Sequence, residues 1–160
     1  MFGIDLIYLG NEKDKHYNMA ADEYIKRLSA FCSFSSKNLK DERLSDNPSD
    51  AEIEQALEKE GKQILQNLPE RSYKIALCIE GKQISSEELA STLSSLPDKG
   101  YSRTTFIIGS SCGLSESVKQ RCDLRLSMSR MTFPHKLARV MLLEQIYRAY
   151  QISNGGKYHK

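Results

Sequence analysis

Between His135 and Tyr150 the chargeable side chains His135, Arg139, Glu144 and Arg148, with Lys136 beside the first, stand in a run otherwise dominated by Leu137, Val140, Met141, Leu142, Leu143, Ile146 and Tyr147. Ionised groups among apolar ones are costly unless they are paired or in use. Glu144 and Arg148 are spaced i and i+4, so a structural helix pair and a functional pair are both open on spacing alone. At about 100° per residue the apolar side chains scatter over most of the helix circle. That is the pattern of a helix buried on every side, in a core or a subunit interface. Pro134 suits its first turn, and roughly 16 residues from there predict about four turns. Directly ahead lies Leu126–Phe133, L-S-M-S-R-M-T-F, a short polar-apolar loop.

Two further stretches carry chemistry. The C-terminus reads N-G-G-K-Y-H-K, where two glycines give freedom and Tyr158, His159 and Lys160 offer a ring, an imidazole and a cation. Such a tail is either frayed or able to stack a base and hold phosphate. Gly109-Ser-Ser-Cys-Gly113 follows a β-branched run and precedes a helix start. It is neither the dinucleotide fingerprint nor a Walker loop, though glycine there lets backbone approach a ligand. Cys112 has no histidine near it in sequence, which weighs against a nucleophile.

The elements that must position these residues alternate along the chain. Apolar Ile4–Leu9 predicts a strand covered on both faces, followed by a helix over Asp14–Leu28. Phe31–Leu39 is a weaker, serine-rich strand, and Lys40–Ser49 a loop. Ser49 or Asp50 caps a helix over Ala51–Leu68. Tyr73–Ile79 reads as a strand ending at Glu80-Gly81. Ser85 or Ser86 starts a helix to about Leu96, with Glu87 or Glu88 completing a capping box. Thr104–Ile108 is a strand, Ser115 starts a short helix to about Cys122, and Asp123–Ser127 is a last strand. This order predicts one α/β domain over 1–160, a mostly parallel sheet with helices on both faces. Ligands of such sheets bind at loops leaving the strands' carboxyl ends. Three such loops stand out: Leu77–Lys82, Gly109–Gly113 and Leu126–Phe133.

Composition narrows the partners. The chain has 160 residues and a net charge of +2, but residues 1–100 carry a net of −5 and residues 119–160 a net of +7. A basic end on a near-neutral chain is a footprint for a polyanion or simply solvated surface. No apolar run approaches the roughly 20 residues of a membrane span, and the opening apolar stretch has no basic start and carries Asp5. Cys32, Cys78, Cys112 and Cys122 lack zinc spacing, so no metal is expected and reduced thiols in a cytoplasm are.

The stretches I-I-G-S-S-C-G-L (107–114), L-S-M-S-R-M-T-F-P-H (126–135), R-V-M-L-L-E-Q-I-Y-R-A-Y (139–150) and the final Y-H-K, with E-Y-I-K-R-L (23–28) and E-K-E-G (58–61), resemble the RlmH family. Those are small SPOUT-class methyltransferases that act on a pseudouridine in large-subunit ribosomal RNA. The resemblance covers essentially the whole chain. It implies a C-terminal trefoil knot, which no pattern in the residues would predict. It implies S-adenosylmethionine bound in the knot by Leu77, Gly109 and Met128, Ser129, Arg130, Met131, Thr132 and Phe133. It implies a homodimer in which the apolar helix packs on its twin and the tail of one subunit completes the other's site. The family usually has two adjacent glycines where this chain has Gly109-Ser110. A positive φ at the second would strain serine and weaken the cofactor site.

The implied reaction is methyl transfer to N3 of the pseudouridine, in the assembled ribosome. The imide nitrogen must lose a proton, so a base or an anion stabiliser is required. Arg139 and Arg148 are candidates for holding carbonyl oxygens or phosphate. Glu144, His135 and His159 are candidate proton acceptors, and Tyr158 belongs to the tail that closes the site. Two rivals remain at this level. One is a non-catalytic RNA- or ribosome-binding dimer, favoured only by Ser110, and the other a SPOUT enzyme with another RNA target.

Overall fold

Strand β1 (Gly3–Leu9) is buried along its whole length and sends alternate side chains to two different cores. Ile4, Leu6 and Tyr8 point into the larger one, and Ile7 and Leu9 into the smaller. That alternation is the strand period of two, hidden in the sequence because both faces are apolar. The computed structural model describes residues 1–160. Its remaining elements are α1 (Lys15–Leu28), β2 (Ser33–Leu39), α2 (Asp50–Asn67), β3 (Tyr73–Gln83), α3 (Ser86–Ser95), β4 (Arg103–Ile108), α4 (Glu116–Gln120), β5 (Leu124–Ser127) and α5 (His135–Ser153). The five strands form one sheet in the order β2-β1-β4-β3-β5, and every pairing is parallel.

Helices α1, α3 and α5 cover one face through Ala21, Leu28, Leu89, Leu93, Leu143 and Ile146. Helices α2 and α4 cover the other through Ile64 and Val118. The ends of these helices are set locally. Ser49 with Glu52, and Ser85 with Glu88, each make a reciprocal capping box, and Ser115 caps α4. The α/β class, parallel sheet and two helical layers follow the expectation from the alternating pattern.

Three element limits differ from expectation. Strand β3 does not stop at Glu80-Gly81. Leu77 and Lys82 both register with Leu126, so the residues between them bulge out before the strand resumes to Gln83. Gly81 permits this, because a Cβ there would lie 2.7 Å from the Arg125 carbonyl oxygen. Its role is close backbone approach, not termination. Helix α5 has 19 residues rather than about 16, since Tyr150 and Ile152 continue its packing against the larger core. Strand β2 begins at Ser33, because Phe31 is occupied in ring contacts with Tyr147 and Tyr150.

The path after β4 matters most for the site. The chain leaves β4 inside the sheet, passes over to β5 at the edge beyond β3, then returns as α5 against both α1 and α3. No helix is long and apolar enough to cross a membrane.

Candidate active site

All five strands run the same way, so their carboxyl ends share one rim. There the bends after β4, within β3 and after β5 enclose a cavity of about 730 Å³ together with the start of α5. That volume is in the range of small-molecule sites. Leu77, Gly109, Met128, Ser129, Met131, Thr132 and Phe133 line it, and Arg130 does not. Gly109 is the tightest point. A Cβ there would overlap the Gly113 carbonyl oxygen and reach to 3.0 Å from Leu114 Cδ2. The bend closes through the Gly113 N–H donating to the Ser110 carbonyl at 2.9 Å, with Gly113 at φ +84°. The lining is largely apolar with backbone polar groups, suited to a ligand held by shape and main-chain hydrogen bonds.

A second cavity of about 540 Å³ adjoins the first and shares Leu126 and Met128 with it. Glu144 opens onto it. Glu144 Oε1 accepts from Arg148 Nε at 3.0 Å, from Arg148 Nη2 at 2.5 Å and from the Tyr158 hydroxyl at 3.0 Å. Its Oε2 accepts from Gln145 at 2.9 Å. Arg148 Nη1 lies 3.1 Å from His159 Nδ1, and His159 Nε2 lies 2.7 Å from Glu87 Oε1 on α3. The guanidinium stacks on the Tyr158 ring, 4.8 Å from its centroid. Burial, then the neighbouring Tyr24 and Glu144, push the Tyr158 phenol up to about 12, so it stays protonated and donates. The C-terminal tail thus folds back on its own α5 and α3, and Glu144, Arg148, Tyr158 and His159 form one cluster.

His135 and Arg139 stand elsewhere. His135 borders the larger cavity, yet its Nε2 packs against Gly10 and finds no hydrogen-bond partner. Burial, with help from Lys136, lowers its pKa and favours the neutral ring. Arg139 is nine residues from Arg148, half a turn out of phase, and faces the opposite way. It is 8% exposed, stacks over Tyr8 at 4.4 Å and reaches Asn18 at 3.3 Å. Burial lowers its pKa.

A family model described as "Predicted SPOUT methyltransferase" matches residues 2–159. This chain belongs to the SPOUT methyltransferase family. Within it, the chain is 51% identical to the ribosomal RNA large subunit methyltransferase H of Clostridioides difficile, over 98% of this chain and 99% of that protein. It is 48% identical to the enzyme of the same name from Streptococcus thermophilus, again over 98% of this chain and 99% of that protein. Among solved structures, a methyltransferase from Legionella pneumophila, described as in complex with the bound cofactor SAM, superposes with a TM-score of 0.53. It is 12% identical and covers 95% of this chain and 66% of that one.

Against this SPOUT framework, the strain expected at Ser110 is absent. No residue other than glycine has a positive φ, so serine occupies the second position of the bend without backbone cost. Its hydroxyl instead donates to the buried Glu60 at 2.7 Å. Some lining residues escaped the sequence reading, Lys119 and Ala138 among them. Lys119 of α4 reaches the cavity while paired with Glu80, and Ala138 contributes from the first turn of α5. The i, i+3 spacing of Ala138 from His135 was a usable signal, whereas Lys119 had none.

Proposed function

We propose that the chain transfers a methyl group from S-adenosylmethionine to N3 of a pseudouridine in large-subunit (23S) ribosomal RNA, in the cytoplasm and on an assembled ribosomal particle. The carrying observation is the juxtaposition of the Gly109 cavity with the Glu144–Arg148 cluster across a shared Met128 wall. The named substrate of the 51%-identical relative supports the choice of RNA.

The residues fit the donor. An apolar cavity of about 730 Å³, floored by a glycine that no side chain could replace, suits a nucleoside-bearing ligand held by backbone. Leu77, Gly109, Met128, Ser129, Met131, Thr132 and Phe133 would hold it, while Arg130 faces solvent outside the lining. When bound, S-adenosylmethionine supplies a methyl on a sulfonium that is already a good electrophile. What remains for the protein is alignment and removal of the imide proton.

Arg148 is placed for that second task. Its guanidinium is held from three sides, by Glu144, His159 and the Tyr158 ring, and so is preorganised to stabilise negative charge on the base's carbonyl oxygens. Glu144 is already engaged, because Oε1 accepts three hydrogen bonds and Oε2 one from Gln145. It orients Arg148. Both His159 ring nitrogens are engaged as well, Nδ1 accepting from Arg148 and Nε2 donating to Glu87, and His135 Nε2 faces Gly10 rather than an open cavity, so the cluster acts by stabilising the imide anion. Arg139, stacked on Tyr8, serves the packing of α5.

The fold belongs to the same reading. The crossing from β4 past β3 to β5 and back along α5 is where the trefoil knot forms, within one domain over 1–160. Two chains pair through α5; the tail, expected to complete the neighbour's site, instead lies on its own α5 and α3 and closes the Glu144–Arg148 cluster of the same chain. Apolar Leu137, Val140 and Met141 of α5 are left part-exposed in the single chain, which supports an interface there.

Calorimetry with S-adenosylmethionine should show one site per chain. Methyl transfer should be efficient on purified ribosomal particles and poor on naked ribosomal RNA, because the chain's charge excess is a modest +2. Efficient methylation of a short free hairpin, or no uptake of the donor, would contradict the proposal.

A further inference from the structure

Beneath the Gly109 bend, hydrogen bonds lead to a carboxyl that belongs neither to the cavity lining nor to the Glu144 cluster. Glu60, in α2, is only 3% exposed. Its Oε1 accepts from Ser110 Oγ at 2.7 Å, and its Oε2 from the backbone N–H of Glu42 at 2.9 Å. Ser110 Oγ in turn accepts from the Cys112 N–H at 3.4 Å. Both Ser110 and Cys112 line the donor cavity. The adjoining Gly61 is pressed against the far end of the same segment, since a Cβ there would stand 2.5 Å from Ser115 Oγ. Helix α2 therefore grips the segment from Ser110 to Ser115 at both ends.

A carboxyl in this position is expensive. Burial raises its pKa, the Glu42 N–H and the Ser110 hydroxyl pull it back, and the nearby Asp41 and Glu42 charges push it up again. An apolar residue of similar volume would serve packing at least as well. What an apolar residue could not do is fix the Ser110 hydroxyl and the loop after β2 at once.

We infer that Glu60 is a positioning residue for the methyl-donor cavity: through Ser110 it sets the backbone of the Gly109–Gly113 bend, and through Glu42 it ties that bend to the loop after β2. The inference rests on the reading of the cavity as the S-adenosylmethionine site. Glu60 touches no ligand, so its effect falls on donor binding and not on the chemical step.

The test compares Glu60→Gln, Ser110→Ala and the double variant with the wild type. Three quantities are read: the S-adenosylmethionine Kd by calorimetry, the thermal midpoint, and KM against kcat on ribosomal particles. Each single variant should weaken donor binding roughly tenfold, the scale of one buried charge-assisted hydrogen bond. KM for the donor should rise by the same factor, while kcat at saturating donor stays within about twofold. The double variant should bind no more weakly than the worse single one, because Glu60→Gln takes the charge from the same hydrogen bond that Ser110→Ala removes. An unchanged Kd with a lowered thermal midpoint would overturn the inference and make Glu60 a purely structural residue. Additive losses in the double variant would overturn the Ser110 link. If Glu60→Gln fails to fold, Ser110→Ala alone decides, by the same Kd criterion. A wild-type chain that takes up no donor would instead defeat the reading of the cavity, and this inference with it.

Discussion

Replacing Arg148 with alanine lowers methyl transfer by roughly 100-fold or more, the scale of losing a preorganised anion-stabilising donor, and leaves S-adenosylmethionine binding intact. The separation arises from geometry. Arg148 borders neither cavity wall that would meet the donor and is engaged with Glu144, His159 and the Tyr158 ring. Removing it strips charge stabilisation from the acceptor side and releases the tail, because His159 loses its contact to α5. Lysine should not rescue the loss. A single ammonium cannot reproduce a guanidinium that reaches Glu144 through two nitrogens while stacking on Tyr158. Single-turnover assays with saturating donor, beside calorimetry on the same preparations, would check this. Turnover unchanged in Arg148→Ala would remove the residue from the site. A matched loss of donor affinity would place it on the wrong side of the Met128 wall.

Gly109→Ala should abolish donor binding, with a Kd weakened about a hundredfold or more, although only one methyl group is added. A Cβ at this position would run into the Gly113 carbonyl and approach Leu114. Both belong to the same bend, so the collision is relieved only by opening the bend, and a shift of about 1 Å is enough to spoil a preorganised site. The fold should survive with a loss of about 1–3 kcal/mol, the range for overpacking. Gly113→Ala is the instructive contrast. Its Cβ meets nothing within 4 Å, but its φ of +84° disfavours any side chain, so strain rather than collision would be felt. Calorimetry and thermal melts on both variants read the two effects apart. Donor binding by Gly109→Ala within about threefold of wild type would show that the bend does not shape the site.

Much of this architecture was legible because its causes are local. The capping boxes at Ser49–Glu52 and Ser85–Glu88 are written in four-residue windows, and so are the helix starts they fix. The three strand-end bends were visible as breaks between apolar runs, and together they border one cavity. What stayed hidden depends on distant neighbours. Gly81 read as a stop because glycine usually ends a run, yet its purpose is the approach of the Arg125 backbone from β5. The role of Ser110 could not be seen without Glu60, fifty positions away. Arg139 and Arg148 looked equivalent in composition, and only the half-turn between them sends one to Tyr8 and the other to the tail. The resemblance to a known family supplied the donor and the target; residue spacing alone left structural and catalytic readings of Glu144 and Arg148 level.

The most direct measurement is mass spectrometry of large-subunit ribosomal RNA from cells with and without the gene for this chain. The account predicts that one pseudouridine loses a single methyl group in the deletion strain and regains it when wild-type protein, but not Arg148→Ala, is restored. Identical modification profiles in the two strains, or a methyl lost from a different RNA, would contradict it.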